Sequence, residues 1–469
     1  MKFFKKVAVV LFFATIFSGT TFAEPVPLRG IVEGFYGTPW TFSDRVNIFE
    51  FCRTHNLNAY IYAPKDDLYH RSKWREPYPK AELEKLDKLI DAAKKNNVRF
   101  IFAISPGLDL HYKGKKADED FSKLVQKIES VYKLGARDFA IFLDDLKDEK
   151  GEHHEDGKLQ ALFLNKLQRE LRSKFKDTAP LITVPTEYYY EDMIDGRKIK
   201  SYTEDFSVNL DEKILVLYTG NGVVCDVITR EDYNAANKIY GRELGVWWNY
   251  PVNDYPLTSE GNRSVKLALG AIEKLPSETL PAIFFNPMNQ AEMSKISLAT
   301  GADYANAPNL YDAEKSWDKA IKNQFGELAP AMKIFAEHSR HMENSWAKVG
   351  SADGSEFATL SYLLFSDIRA GRKANFDSLE KVITEMENSA DTLLKNLPQK
   401  YLSECKPQLE QFKRIANADR IALNSLKSGK LNPQLKKLRE DISLHEKIAV
   451  VSEMSARKFI DDTLKFFGE

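Results

Sequence analysis

The chain has 469 residues, enough for two domains or three, and its 67 Lys and Arg against 68 Asp and Glu leave a formal net charge of −1. That balance gives no electrostatic grounds for a nucleic-acid or anionic-membrane partner, and neither is expected. Three widely spaced cysteines (Cys52, Cys225, Cys405) make no disulfide framework and no metal-ligand spacing, and they read as small hydrophobes with at most one bridge.

At the N-terminus, Lys2, Lys5 and Lys6 precede an apolar run from Val7 to Phe17, and Thr21-Phe22-Ala23 offers small residues at the cleavage-determining positions. The pattern predicts a signal peptide over residues 1–23, cut after Ala23, and an exported mature protein, periplasmic or secreted. The run is too short to span a bilayer and no later segment is long and apolar enough, so no membrane span is expected.

From Leu28 onward, short apolar runs alternate with amphipathic stretches. Strands are predicted at Leu28–Glu33, Ala59–Ala63, Arg99–Ser105, Asp138–Leu143, Pro180–Val184, Ile214–Tyr218, Leu244–Trp247 and Ala282–Phe285. Helices are predicted at Phe42–Asn56 (with Ser43 as its N-cap), Ala81–Asn97, Asp118–Gly135, Lys158–Phe175, Arg230–Tyr240 and Arg263–Leu275. Eight strands interleaved with helices over about 270 residues match the size of an α/β (β/α)8 TIM barrel. An open doubly wound sheet is the alternative, but Gly30-Ile31-Val32-Glu33-Gly34 lacks the dinucleotide-binding glycine spacing. The catalytic barrel is assigned to 24–300 and a linker to 301–311, where small and polar residues cluster around Pro308. A C-terminal all-α helical bundle is assigned to 312–469. Helical stretches there run over Trp317–Trp346, Phe357–Ala370, Phe376–Leu397, Leu402–Leu426 and Leu435–Phe467.

Barrel enzymes keep their chemistry where strands end. After the first strand comes Glu33-Gly34-Phe35-Tyr36-Gly37-Thr38-Pro39-Trp40, and after the second Pro64-Lys65-Asp66-Asp67. Lys65 suits a hydroxyl or carbonyl ligand, or a surface salt-bridge cluster. The fourth strand delivers Asp144-Asp145, which taken alone suit either catalysis or helix capping and solvation. Pro185-Thr186-Glu187-Tyr188 follows the fifth strand and Thr219-Gly220-Asn221 the sixth. Trp247-Trp248-Asn249-Tyr250-Pro251-Val252-Asn253-Asp254 combines a flat apolar wall with groups able to bind vicinal hydroxyls. One of the two Trp residues is expected to pack between barrel and helices. Asn286-Pro287-Met288 follows the eighth strand. His153-His154 sits in a charged loop and reads as solvated.

These runs, in order and at barrel spacing, resemble glycoside hydrolase family 84, which contains the O-GlcNAcases and bacterial β-N-acetylglucosaminidases, some of them labelled hyaluronidases. The resemblance implies N-acetylglucosamine-containing glycans or glycoproteins as substrate and no metal or organic cofactor. It implies that Asp144 polarises the substrate acetamido group, that Asp145 is general acid and then base, and that Tyr188 assists. Gly34 (through its backbone), Lys65, Asn249, Asp254 and Asn286 would hold the sugar. Trp247 would wall the acetamido pocket, with Tyr36 and Thr219 lining it. Val184 stands where some members carry Cys, so pocket size or polarity is expected to differ. The α/β domain that often precedes the barrel in bacterial members is expected to be absent.

Adjacent carboxylates suit ordinary retaining chemistry poorly, because acid and nucleophile must flank the sugar roughly 5 Å apart and neighbours on a strand point to opposite faces. The pairing fits a substrate whose own 2-acetamido oxygen is the nucleophile, giving an oxazoline. The neighbouring carboxylate is expected to raise the pKa of Asp145 so that it carries a proton at neutral pH. Chitinase-type barrels show an Asp-x-x-Asp-x-Asp-x-Glu run, absent here, and hexosaminidases an Asp-Glu pair. The expected activity is retaining exo-β-N-acetylglucosaminidase. The alternatives are an endo-acting hyaluronidase-type enzyme and a lectin-like protein without turnover.

Overall fold

The structure is a computed structural model that describes residues 24–146, 155–255, 261–277 and 280–469. The expected signal peptide and the His153-His154 pair lie outside the described residues.

A closed parallel barrel is formed by β1 (Leu28–Glu33), β2 (Ala59–Tyr62), β3 (Arg99–Ile104), β4 (Asp138–Phe142), β5 (Ile182–Val184), β6 (Leu215–Tyr218), β7 (Gly245–Trp248) and β8 (Ala282–Phe285). Each strand pairs with the next, and β8 returns to β1 with Leu28 opposite Ala282. Alternate residues feed two cores. Leu28, Val32, Ile61, Phe142, Leu217 and Phe284 fill the barrel, whereas Ile31, Tyr60, Phe102, Ile141, Val246 and Phe285 meet the outer helices. Burial on both faces is why these strands read as unbroken apolar runs. Ala59, Ala63, Ala103, Ala140 and Ala282 leave the interior room for the larger rings.

The outer layer comprises α1 (Phe42–Thr54), α2 (Lys80–Lys95), α3 (Gly114–Lys133), α4 (Gly157–Lys174), α5 (Ser201–Asn209), α6 (Arg230–Tyr240) and α7 (Ala291–Asn306). The N-cap of α1 is Thr41 and not the expected Ser43. Its hydroxyl accepts from Asp44 N at 3.2 Å, while Asp44 accepts from Thr41 N at 2.9 Å, a reciprocal box that satisfies two helix-end donors.

No helix forms over Arg263–Leu275, contrary to expectation. Residues 265–272 are buried on every side, and their backbone groups bond elsewhere. Leu269 N donates to Ser339 O (2.7 Å), Gly270 N to Tyr250 Oη (2.8 Å) and Ile272 N to Thr300 Oγ1 (2.9 Å). Each of these bonds replaces a bond within a helix, and the apolar spacing that resembled a helix face belongs to an extended strut. The strut ties barrel to bundle through Gln408 Nε2 on Val265 O (3.0 Å) and Trp317 Nε1 on Leu269 O (2.6 Å).

The stretch 301–311, expected to be a linker, is helical through Asn306 and largely buried. Its small residues are there for packing: a Cβ on Gly301 would come within 2.9 Å of the Phe285 ring. Beyond it lie α8 (Ala313–Phe325), α9 (Ala329–Glu337), α10 (Ser355–Arg369), α11 (Asp377–Asn396), α12 (Gln399–Ser428), α13 (Gln434–His445) and α14 (Ala456–Phe466). The single helix expected over Trp317–Trp346 breaks at Gly326, whose φ is +55°, and ends in a short hairpin pairing Met342 with Val349. The one expected over Leu435–Phe467 is interrupted between His445 and Ala456. The three cysteines are free, and Cys52 and Cys405 are buried.

Candidate active site

All eleven site residues singled out in the sequence line one cavity of about 280 Å³: Gly34, Tyr36, Lys65, Asp144, Asp145, Tyr188, Thr219, Trp247, Asn249, Asp254 and Asn286. Each leaves the C-terminal end of a barrel strand or the loop that follows it.

The loop after β1 is folded inward by three anchors. Glu33 turns outward and accepts from Arg45 (2.8 and 2.7 Å) and from Trp40 N (3.1 Å). Gly34 N donates to Asn286 Oδ1 (3.3 Å) and Tyr36 N to Asp254 Oδ2 (2.6 Å). Gly37 then turns the chain at φ +106°.

By strand parity Asp144 follows Ala140 and Phe142 into the barrel mouth, and Asp145 should point away. It does not. The strand ends at Phe142, and Asp145 adopts φ +56°, a left-handed conformation that swings its carboxylate back to its neighbour's side. The expectation of opposite faces fails because the pair sits in the turn, beyond the regular strand. Lys65 Nζ donates to both acids, tightly to Asp144 and at 3.3 Å to Asp145 Oδ2. Lys65 is almost fully buried between them, which excludes the surface-cluster reading. Tyr36 Oη donates to Asp145 Oδ2 (2.7 Å) and Tyr188 Oη to Oδ1 (3.0 Å). Among the described residues Asp144 Oδ1 is buried without a hydrogen-bond partner.

These contacts overturn the expected protonation of Asp145 in the free protein. Burial pushes its carboxyl up, but Lys65, the Tyr36 hydroxyl, Arg71 and the Tyr188 hydroxyl outweigh burial and hold it at about 2. Lys65 itself would lose its proton to burial, yet Asp144 and Asp145 keep its pKa above the ordinary lysine value. Asp254 is raised, chiefly by burial, against the opposing pull of the Tyr36 amide and Arg263.

Opposite the acids, Trp247 stands over Gly34 and meets Phe142 edge-on at 5.4 Å. Trp248, on the other face of β7, packs between barrel and helices as expected. Asn249 Oδ1 accepts from both Trp247 Nε1 (2.8 Å) and Asn286 Nδ2 (2.9 Å), and Asn249 Nδ2 donates to Val223 O (2.8 Å). With its oxygen doubly occupied, Asn249 has only an N–H left to offer, whereas Asn286 has a free N–H and an oxygen that accepts once, from Gly34 N. Both amides are set as donors to a hydroxylated ligand, and Asp254 keeps one oxygen as acceptor. Thr219 contributes less directly: its hydroxyl donates to Gly222 O (2.7 Å) and shapes the loop after β6.

Sequence reasoning missed three residues here. Tyr255 and Trp346 meet at 5.4 Å and line the cavity with Arg263. Tyr255 directly follows the Trp247–Asp254 run, a signal within reach, whereas Trp346 arrives from the hairpin beyond α9, far along the chain.

A parallel barrel that gathers carboxylates and hydroxyl-binding amides into one small pocket at its C-terminal mouth falls in the class of glycoside hydrolases. Within that class the chain belongs to the beta-N-acetylglucosaminidase family, glycoside hydrolase family 84, which it matches over residues 29–337. Residues 364–460 match a hyaluronidase post-catalytic domain-like family. The chain is 32% identical to Protein O-GlcNAcase of Rattus norvegicus and of Mus musculus over 286 residues, 59% of this chain. It spans only 30% of the length of those relatives. Among solved structures it resembles CpGH84B, with TM-score 0.86 and 36% identity over 94% of this chain and 77% of that one. A mutant of the Thermobaculum terrenum O-GlcNAc hydrolase gives TM-score 0.80 and 28% identity over 94% of both chains.

Proposed function

We propose that the protein is a retaining exo-β-N-acetylglucosaminidase of O-GlcNAcase type, removing terminal β-linked N-acetylglucosamine from glycoconjugates. One observation carries the reading: Asp144 and Asp145 share Lys65, but they are held differently. Asp144 Oδ1 is buried and unpartnered, suited to accept an acetamido N–H, while Asp145 is ringed by donors beside it.

The steps follow from that division. The acetamido oxygen attacks the anomeric carbon as the bond to the leaving oxygen breaks, and Asp145 gives that oxygen its proton. Asp144 holds the amide N–H as positive charge grows there. Water then adds to the anomeric carbon of the oxazoline, giving its proton to Asp145, with net retention. Gly34, Asn249, Asp254 and Asn286 hold the sugar, Trp247 walls the acetamide, and Tyr188 steadies Asp145. Free Asp145 is ionised, so its proton is taken up as substrate arrives and shuts out water, which raises the carboxyl's pKa. The cavity lies at the small end of ligand pockets, near about 300 Å³, a fit for one sugar and hence for exo action.

Export also belongs to this reading, supported by the charged and apolar pattern of residues 2–23. Among the described residues no helix is long and apolar enough to cross a membrane.

The test is hydrolysis of an aryl β-N-acetylglucosaminide by wild type, Asp144→Asn and Asp145→Asn. Both variants are expected to lose at least about a hundredfold, with Asp145→Asn partly spared on a leaving group that needs little protonation. Undiminished rates in both would sink the mechanism. N-acetylglucosamine binding without wild-type turnover would mark a lectin.

A further inference from the structure

We propose that Arg71 is a positioning residue of the reaction, holding the Tyr36 hydroxyl as a donor so that it cannot divert the proton of Asp145 from the substrate. The assignment rests on the glycosidase reading above.

Arg71 lies in the loop between β2 and α2, the same loop that supplies Lys65. That loop is pinned from below by Asp67, which accepts from Tyr62 Oη (2.8 Å), Tyr69 N (2.8 Å) and Tyr78 Oη (3.0 Å). The guanidinium of Arg71 sits 5.5 Å from the centre of the Tyr36 ring. Its one side-chain hydrogen bond among the described residues goes from Nη1 to Tyr36 Oη at 2.7 Å. Tyr36 Oη in turn donates to Asp145 Oδ2 at 2.7 Å.

The direction of this chain is fixed by chemistry. A guanidinium has only donors, and a phenol has one proton. With Arg71 donating to it, Tyr36 must send its own proton on to Asp145 and cannot serve as the acceptor of that acid's proton. The other group on the same oxygen agrees, since Lys65 is a donor only, while Tyr188 meets the opposite oxygen, Oδ1. A proton on Oδ2 therefore finds no acceptor in Tyr36 or Lys65 and points into the cavity, where the leaving oxygen would lie. Take Arg71 away and the Tyr36 hydroxyl is free to rotate and accept that proton itself.

The charged and phenolic groups facing Asp145 are Lys65 and Arg71 from the loop after β2, Tyr36 from the loop after β1, Tyr188 after β5 and its neighbour Asp144. Beyond them Arg263 faces the Tyr36 ring and Asp254 holds the Tyr36 amide. Removing one cation from this set lets Asp145 keep its proton to higher pH.

The experiment compares kcat at saturating substrate against pH, which reads the acid in the substrate complex, for wild type, Arg71→Gln, Arg71→Lys, Tyr36→Phe and the Arg71→Gln/Tyr36→Phe double variant. Two aryl β-N-acetylglucosaminides serve as substrates, one with an acidic phenol as leaving group and one with a weakly acidic phenol. At its own pH optimum Arg71→Gln should lose about tenfold on the weakly acidic phenol and little on the acidic one, the mark of impaired protonation. Its alkaline limb should move to higher pH, Arg71→Lys should restore the limb, and in the Tyr36→Phe background Arg71→Gln should add little. Equal losses on both substrates with an unmoved limb would reduce Arg71 to a support of its loop and overturn the proposal, as would additive effects of the two substitutions. No turnover by wild type would instead remove the glycosidase reading itself.

Discussion

Trp247 fills the space that a side chain on Gly34 would need: a Cβ there would come within 2.3 Å of Trp247 Cζ2. The glycine after β1 thus makes room for the indole that walls the cavity opposite the two acids. Gly34→Ala should push the indole off its seat and break the Trp247–Asn249–Asn286 chain of hydrogen bonds. Overpacking of this kind costs about 1–3 kcal/mol. Steady-state kinetics on an aryl β-N-acetylglucosaminide should show kcat/KM down about tenfold or more, mostly as raised KM. The melting temperature should fall by only a few degrees. Kinetics unchanged from wild type would show that the indole has space to spare.

The ionisation of Asp145 offers a second test. Its folded pKa, about 2, lies below its value in the unfolded chain, near about 3.9. A depressed carboxyl contributes stability above the unfolded pKa and loses it as pH falls through the folded one. Asp145→Asn should therefore melt below wild type at pH 6, with the gap narrowing as pH drops toward 2. Carbon-13 NMR of the aspartate carboxyls should find Asp145 ionised at pH 4 in the free protein. A carboxyl titrating near pH 5 would contradict the assignment.

A third concerns the seam between barrel and bundle. Glu404 on α12 accepts the backbone N–H groups of Glu292 (3.2 Å) and Met293 (2.9 Å), capping α7 just beyond the loop that carries Asn286. Burial, against the pull of those two amides, pushes its carboxyl up to about 7. A carboxyl raised on folding gives stability that is complete below its unfolded pKa and is lost as pH rises through the folded one. Wild type should lose melting temperature between pH 5 and 8, and Glu404→Gln should flatten that slope while keeping an acceptor for the helix end. A variant as pH-sensitive as wild type would place the titration elsewhere.

The sequence announced the barrel because parallel strands buried on both faces leave an unmistakable apolar run, and the site because its residues cluster at the ends of those runs. Where reading failed, the physics was non-local. The strut at 265–272 carries helix-like spacing, but its amides bond to Ser339, Tyr250 and Thr300, partners that no window of sequence reveals. Gly301 resembles linker material and in fact makes room for Phe285. In sequence Asp145 is an acid beside an acid, whereas the cations and phenols around it come from three other strand ends and reverse the direction of its shift. Trp346 and Arg71 were invisible because one reaches the cavity from beyond the barrel and the other acts through Tyr36.

In the proposed reaction the substrate's own acetamide is the nucleophile, held by Asp144. The direct measurement is kcat/KM for aryl glucosaminides whose 2-N-acyl group runs from acetyl through mono- and difluoroacetyl to trifluoroacetyl. Fluorine drains the amide oxygen of nucleophilicity, so rates should fall steeply along the series, by at least about a hundredfold end to end. A flat series, with a sugar trapped covalently on an enzyme carboxylate, would contradict it.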